Sequence, residues 1–189
     1  MATIKQALAK AGSLKTVADS WRLDAELLLA CAIGKPREYL FTWPDKELTE
    51  FELKEFTAYC DRRASGEPVA YILGKQAFWD FELLVNPSVL IPRPETELLV
   101  ESAIELLELR HCAGANVLDL GTGSGAIALA LAGHNKHWHL TAVDNSASAL
   151  AVARENAQLL SIKNIEFRNT SWCDGLQAEG FDLVTANPP

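Results

Sequence analysis

The sequence predicts an α/β fold, a parallel sheet with crossover helices, preceded by a small all-α domain. Three observations lead there. Four short apolar runs, at 116–120, 139–143, 164–168 and 181–186, alternate with helical stretches at 124–132 and 146–160. The first 65 residues carry helical spacing only, and a glycine-rich turn joins the first apolar run directly to the helix after it. Strand, helix and strand in this order require right-handed crossovers, which is a Rossmann-like arrangement.

From the N-terminus, Ile4, Ala7, Leu8 and Ala11 recur at helical spacing before Gly12, and Leu23, Leu27, Leu28 and Cys31 do so before Gly34. A third helix starts at Thr49, where Glu52 completes a capping box, and carries Phe51, Leu53, Phe56 and Tyr59 toward Arg63. Residues 1–65 therefore read as a helical domain. From Gly66 the chain is punctuated by Pro68, Gly74, Pro87, Pro92 and Pro94 around short aromatic and β-branched runs, so 66–93 reads as a linker with a β-hairpin. Pro94 suits a first helical turn and Glu95 and Glu97 suit its positive end, which opens the third region, 94–189, with a helix running to about Arg110.

Composition bounds the function. The chain has 189 residues, 49% of them hydrophobic, and a formal net charge of −8. An acidic chain lacks the main energy source for gripping a phosphate backbone, so direct nucleic-acid binding is not expected. No apolar stretch reaches a membrane-spanning length and the first ten residues do not resemble a signal peptide, so a cytoplasmic location is expected. Cys31, Cys60, Cys112 and Cys173 form no ligand pattern and read as buried reduced thiols. His134, His137 and His139 stand where a helix gives way to a strand and read as solvated, with no metal site expected.

The chemistry concentrates in two places. Val117-Leu118-Asp119-Leu120 leads into Gly121-Thr122-Gly123-Ser124-Gly125, a strand followed by three glycines at alternate positions and then a helix. Glycine serves where backbone turns sharply and a ligand passes close by. About twenty residues on, the second strand ends in Asp144, within reach of a ribose diol. Together these point to a nucleoside-bearing cofactor. The Gly-x-Gly-x-Gly spacing differs from the dinucleotide pattern Gly-x-Gly-x-x-Gly, which argues against a pyrophosphate resting on the helix. Asp119 orients either the loop or an amino group of the ligand. The fourth strand delivers Asn187-Pro188-Pro189 to the carboxyl edge of the sheet. An Asn oxygen and a proline carbonyl each accept one N–H of a planar amide or exocyclic amine, and Pro188 fixes the backbone that aims its carbonyl.

The glycine loop with Asp144 resembles the first motif of the class I S-adenosylmethionine-dependent methyltransferases. Gly66-Glu67-Pro68-Val69-Ala70-Tyr71-Ile72-Leu73-Gly74, Phe78-Trp79, and Leu90-Ile91-Pro92-Arg93-Pro94-Glu95-Thr96-Glu97, with Asn187-Pro188-Pro189, resemble more specifically the peptide chain release factor glutamine N5-methyltransferase family. The resemblance spans the chain. It implies methyl transfer from S-adenosylmethionine to the side-chain amide of the Gly-Gly-Gln glutamine in class I release factors, with the helical domain helping to dock that protein. Carried over, cofactor contacts fall on Gly121, Thr122, Gly123, Ser124, Gly125, Asp144, Trp172 and Asn187, with Trp172 against the adenine. Asn187, Pro188 and Pro189 grip the glutamine amide, Asn187 and Pro188 being catalytic. Arg93 and Glu95 line the site or brace the helix they begin.

The chain departs from the family pattern at Ser171, where an acid usually precedes the tryptophan, and at its end, where an aromatic usually follows the two prolines. The sheet is accordingly read as C-terminally truncated, the 189-residue form is expected to bind cofactor poorly and to turn over little or not at all, and 181–186 is expected to be an edge strand open to self-association. Two alternatives remain: a ribosomal protein glutamine N5-methyltransferase, and a non-catalytic module that docks the release factor through residues 1–65. A DNA adenine-N6 methyltransferase shares the Asn-Pro-Pro start but requires a basic target-recognition region not seen here.

Overall fold

The computed structural model describes residues 2–111, 114–176 and 180–187, so Cys112, Pro188 and Pro189 lie outside the described residues. The chain forms two compact units that meet between Leu73 and Gly74.

The first unit is helical. α1 (Ile4–Lys10) opens on a capping box in which the Thr3 hydroxyl accepts from the Gln6 amide and the Gln6 side chain accepts from Thr3. Its next orphan donors are met by a loop, Ile4 N–H to Lys46 C=O at 3.0 Å and Lys5 N–H to Pro44 C=O at 2.9 Å. A 3₁₀ segment (Ala11–Thr16) leads to α2 (Trp21–Ala32), then α3 (Glu38–Thr42), α4 (Glu50–Ala64) and α5 (Val69–Leu73). The Thr49 and Glu52 capping box of α4 is formed in both directions. Ile4, Leu14, Leu28, Leu29, Leu40, Leu48, Phe56 and Ile72 make the core. Residues 69–73, read as connector, belong to this unit because Ala70 and Ile72 are buried in it. α3 and α5 have five residues each, too few to show a helical period, but each follows a proline whose carbonyl accepts an amide of its first turn.

Two acids are buried here. Asp24 accepts from Arg63 Nε at 2.8 Å and from the Ser20 hydroxyl at 3.1 Å, and Glu26 accepts from Arg37 Nε at 3.0 Å. The Asp24–Arg63 pair fastens α2 to α4, and neither side chain has much water access.

The second unit begins with a hairpin, β1 (Lys75–Phe78) and β2 (Phe81–Leu84), antiparallel with Phe78 opposite Phe81. α6 (Glu95–Leu109) follows, then β3 (Asn116–Leu120), α7 (Ala126–His134), β4 (His139–Asp144), α8 (Ala147–Leu159), β5 (Ile165–Asn169) and β6 (Leu183–Ala186). The last four strands form one parallel sheet in the order β5-β4-β3-β6. Side chains alternate across it. Val117 joins Val100, Leu107, Leu129, Leu131 and Trp138 in the main core, while Leu118 and Leu120 pack with Val143, Leu176 and Phe181. The predicted α/β fold with a preceding helical domain and a hairpin is thus present.

β6 starts two residues later than expected because Asp182 is spent on β3. Its amide donates to the Asn116 carbonyl and its carboxylate accepts from the Asn116 amide, both at 2.8 Å. The expectation of buried thiols fails among the described cysteines: Cys31 and Cys173 are exposed, and Cys60 is half-buried, its thiol pushed up to about 11 by burial. No helix among the described residues is long and apolar enough to cross a membrane.

Replacing Arg63 with alanine leaves Asp24 buried beside an empty place. The helical unit is then expected to lose about 3 kcal/mol, seen as an earlier urea transition by far-ultraviolet circular dichroism; Arg63→Lys retains part of it.

Candidate functional site

Strand order determines where a ligand can sit. The chain leaves β3 toward β4 and β5, then returns to the opposite side of β3 as β6, so the direction of winding switches at β3. In open parallel sheets the crevice beyond the carboxyl ends at such a switch is the ligand site. The glycine loop, Asp144 and Asn187 leave the ends of β3, β4 and β6 there.

The loop is held in an uncommon backbone. Gly121, Gly123 and Gly125 all have positive φ, at 69°, 55° and 85°. A Cβ at Gly121 or Gly123 would meet nothing within 4 Å, so the loop presents bare backbone to open space. Gly125 answers a second requirement. A Cβ there would stand 3.0 Å from Leu129 Cδ1 and 3.3 Å from Ala153 Cβ, so it permits close packing where α7 begins. The Thr122 amide donates to the Val143 carbonyl at 2.9 Å, binding the loop to β4.

Asp144 braces the same loop. One of its oxygens accepts from the Gly123 amide and the other from the Ser146 amide, both at 2.9 Å. Each carboxylate oxygen retains a further lone pair, so two acceptors remain for hydroxyl groups. The Asp144 carbonyl in turn accepts from Asn169 Nδ2 at 2.9 Å and the Thr170 amide at 3.2 Å, which anchors the segment leading to Trp172. Trp172 lies in a turn at φ 49° and is 61% exposed, and Ser171 beside it is exposed.

Asp119 is 1% exposed. One oxygen accepts from the Thr185 hydroxyl at 2.8 Å, across the β3–β6 pairing. The other oxygen and the hydroxyl of Thr122 have no hydrogen-bond partner among the described residues. Burial pushes the Asp119 carboxyl up to about 6; the Thr122 hydroxyl, near it but outside hydrogen-bond geometry, the Thr185 hydroxyl and the Ala128 amide oppose the rise, and the charge on Asp144 adds a little to it. A buried acid and a buried hydroxyl, both with unused capacity beside an open glycine loop, fit a ligand carrying hydrogen-bond donors, of which a cationic amine suits the acid best.

Asn187 follows β6 directly. Its Nδ2 donates to the Thr96 hydroxyl at 3.1 Å, and Thr96 is buried in the first turn of α6. Pro188 and Pro189, expected beside it, lie outside the described residues. Arg93 and Glu95 are exposed; Thr96 and Glu97 from the same motif make the inward contacts, Glu97 accepting from the Trp79 amide at 2.9 Å. His134 is not merely solvated: it pairs with Glu108 at 3.0 Å and lies 5.6 Å from the Trp138 ring.

Sequence reasoning missed Thr96, Thr185 and Asn156. Buried Asn156 of α8 donates to the Ser124 carbonyl at 3.0 Å and to the Leu84 carbonyl at 3.1 Å, and accepts from the Leu84 amide at 2.7 Å, so one side chain ties the glycine loop to the hairpin. An Asn in the middle of an alanine-rich helix is the signal that was available, since a buried amide needs partners.

Comparison with known proteins agrees with this architecture. Residues 2–74 match the PrmC N-terminal domain and residues 95–189 the Methyltransferase small domain. The chain is 45% identical over 190 aligned residues to the release factor glutamine methyltransferase of Coxiella burnetii (strain RSA 493 / Nine Mile phase I), covering 100% of this chain and 68% of that protein. It is 50% identical over 170 residues to that of Pseudomonas aeruginosa (strain PAO1), covering 90% of this chain and 60% of that protein. It thus spans roughly 60–68% of the length of these relatives. A solved S-adenosylmethionine-dependent methyltransferase from Agrobacterium tumefaciens shares the fold, with a TM-score of 0.50 at 21% identity over 61% of this chain and 39% of that one. With a parallel sheet switching direction at a glycine-loop strand, a helical unit before it and these relatives, the chain belongs to the release factor glutamine methyltransferase family.

Proposed function

We propose that this protein transfers a methyl group from S-adenosylmethionine to the side-chain amide nitrogen, N5, of the glutamine in the Gly-Gly-Gln motif of class I release factors, in the cytoplasm. One observation carries the reading most. Leu120 pairs with Ala186, so Gly121 and Asn187 are the next residues on adjacent parallel strands, and a cofactor loop and an amide-binding side chain leave the sheet together. The family relatives support the acceptor.

When bound, S-adenosylmethionine supplies a methyl group on a positively charged sulfur. Asp119 would face its amino group, Thr122 and the loop amides its methionine part, Asp144 its ribose hydroxyls and Trp172 its adenine. A carboxylate unpaired on one side is a strong acceptor for an ammonium. At the acceptor, Asn187 Oδ1 and the Pro188 carbonyl would each take one N–H of the glutamine amide. Two acceptors keep the amide plane fixed and place negative potential where nitrogen gains positive charge in the transition state. No strong base is needed, because the methylated nitrogen sheds its proton readily. The helical unit, with Phe41, Trp43 and Phe51 exposed, would help to seat the protein substrate. The acidic chain suits a partner that itself binds RNA.

Mass spectrometry of the Gly-Gly-Gln peptide, after incubation with a release factor and cofactor, is expected to find one added methyl group on the glutamine, even at low turnover. Asn187→Ala should lower the rate at saturating cofactor about a hundred-fold or more. Methylation of a ribosomal protein in place of the release factor would overturn the substrate, and cofactor bound without any transfer would favour a docking role.

Asp119 gives a pH signature. Its carboxyl is about 6 when unloaded, above the ordinary 3.8, so folding favours the protonated form and that contribution to stability is lost as pH rises from about 4 through 6. Holding an ammonium requires the ionised form, so cofactor affinity should rise across the same window and level off above pH 7. Calorimetric titration from pH 5 to 8 checks this; Asp119→Asn is expected to flatten the profile and to make the unloaded protein more stable at pH 8.

A further inference from the structure

We infer that Thr96 is a positioning residue for the acceptor amide. Its hydroxyl holds the Asn187 side chain through Nδ2, which leaves Oδ1 toward an acceptor that brings N–H groups. This deepens the proposed glutamine methylation and rests on that reading.

An asparagine side chain is ambiguous to a ligand. Its two ends have nearly the same shape but opposite hydrogen-bonding character, one accepting and one donating. An asparagine at the end of a strand, exposed as Asn187 is, would turn either end outward and lose selectivity between N–H and C=O groups of an acceptor. Here the Nδ2 end is engaged by the Thr96 hydroxyl at 3.1 Å. That leaves Oδ1 as the end available to a ligand. A carboxamide acceptor such as glutamine presents N–H donors, which an outward Oδ1 takes and an outward Nδ2 repels.

Thr96 is suited to this because it is itself held. It lies buried in the first turn of α6, with its amide donating to the Arg93 carbonyl at 2.9 Å. Its β-branched side chain has few rotamers there. The neighbouring Glu97 accepts from the Trp79 amide at 2.9 Å, so the same helical turn is tied to the tip of the hairpin. Two consecutive residues of α6 thus reach two different parts of the unit, and the start of the helix is fixed from both sides. The contact spans 91 residues of sequence, and nothing in the spacing of Thr96 and Asn187 announces it.

Two measurements decide the matter. In the full chain labelled with nitrogen-15 on asparagine, the Asn187 side-chain NH₂ signals, assigned by their loss in Asn187→Asp, should be displaced from those of free asparagine. They should move toward the free position in Thr96→Val and stay in Thr96→Ser. Unchanged signals in the valine variant would overturn the inference whatever the activity. In methyl transfer to the release factor, Thr96→Val is expected to lower kcat about 10- to 100-fold with cofactor affinity unaltered, and Thr96→Ser to restore most of it. A Thr96→Val enzyme with parental kcat would also overturn the inference. A parent that binds cofactor yet leaves the glutamine unmodified would instead sink the methylation reading, while the spectra still report on Thr96.

Discussion

The Thr185 hydroxyl donating to the buried carboxylate of Asp119 joins the two strands on which the site depends. β3 carries the glycine loop and β6 carries Asn187, and their pairing puts Asp119 opposite Thr185 and Leu120 opposite Ala186. In a parallel ladder a slip of one residue would turn every side chain to the other face. Asp119 would then enter the apolar layer of Leu118, Leu120 and Val143, and Asn187 would no longer leave the sheet level with Gly121. A buried acid tolerates this position only with a donor opposite it, so the polar pair helps to specify the register as well as to prepare the site.

The same acid shows how the site is set against the stability of the fold. Its second oxygen and the Thr122 hydroxyl lack partners among the described residues, in a unit whose other buried amides are well supplied. Asn156 makes three hydrogen bonds to backbone, and Asn164 donates to the carbonyls of Ala132, Asn135 and Trp138. Burying a polar atom without a partner costs about 1–3 kcal/mol. A hydrogen-bond donor brought to Asp119 by a ligand would remove that cost and favour the charged carboxylate, so ligand binding and stability are linked at this residue.

Much of this was legible in the sequence because the relevant signals are local. β3 was found to the residue, since Val117, Leu118 and Leu120 run directly into glycine, and α4 was found from Thr49 and Glu52, whose reciprocal capping is written three residues apart. α3 and α5 were missed because a single helical turn has no period. The exposed cysteines were misjudged because burial of a small residue is decided by neighbours distant in sequence. The site divides in the same way. Gly121 to Gly125 and Asp144 stand out because their backbone demands show in residue type, whereas Thr96, Thr185 and Asn156 are common residues whose roles arise only when strands and helices are brought together.

The irregular backbone positions make an independent case for where the site lies. Among the described residues, four other than glycine have positive φ: Trp79, His111, Ser161 and Trp172. His111 and Ser161 follow the ends of α6 and α8, where a left-handed residue closes the last turn; the Ile162 amide donating to the Ala157 carbonyl at 2.9 Å is that closure. The two tryptophans have no such helix-ending role. A bulky side chain in this region costs about 1–2 kcal/mol, and glycine would be the ordinary choice for either turn. One of them is tied through its amide to Glu97, beside Thr96, and the other follows the segment anchored on the Asp144 carbonyl. Local preference is set aside at the hairpin tip beside Thr96 and at the strand end beside Asp144. Strain kept at two such places, in a chain that otherwise obeys its local rules, is what a binding site at this edge of the sheet requires.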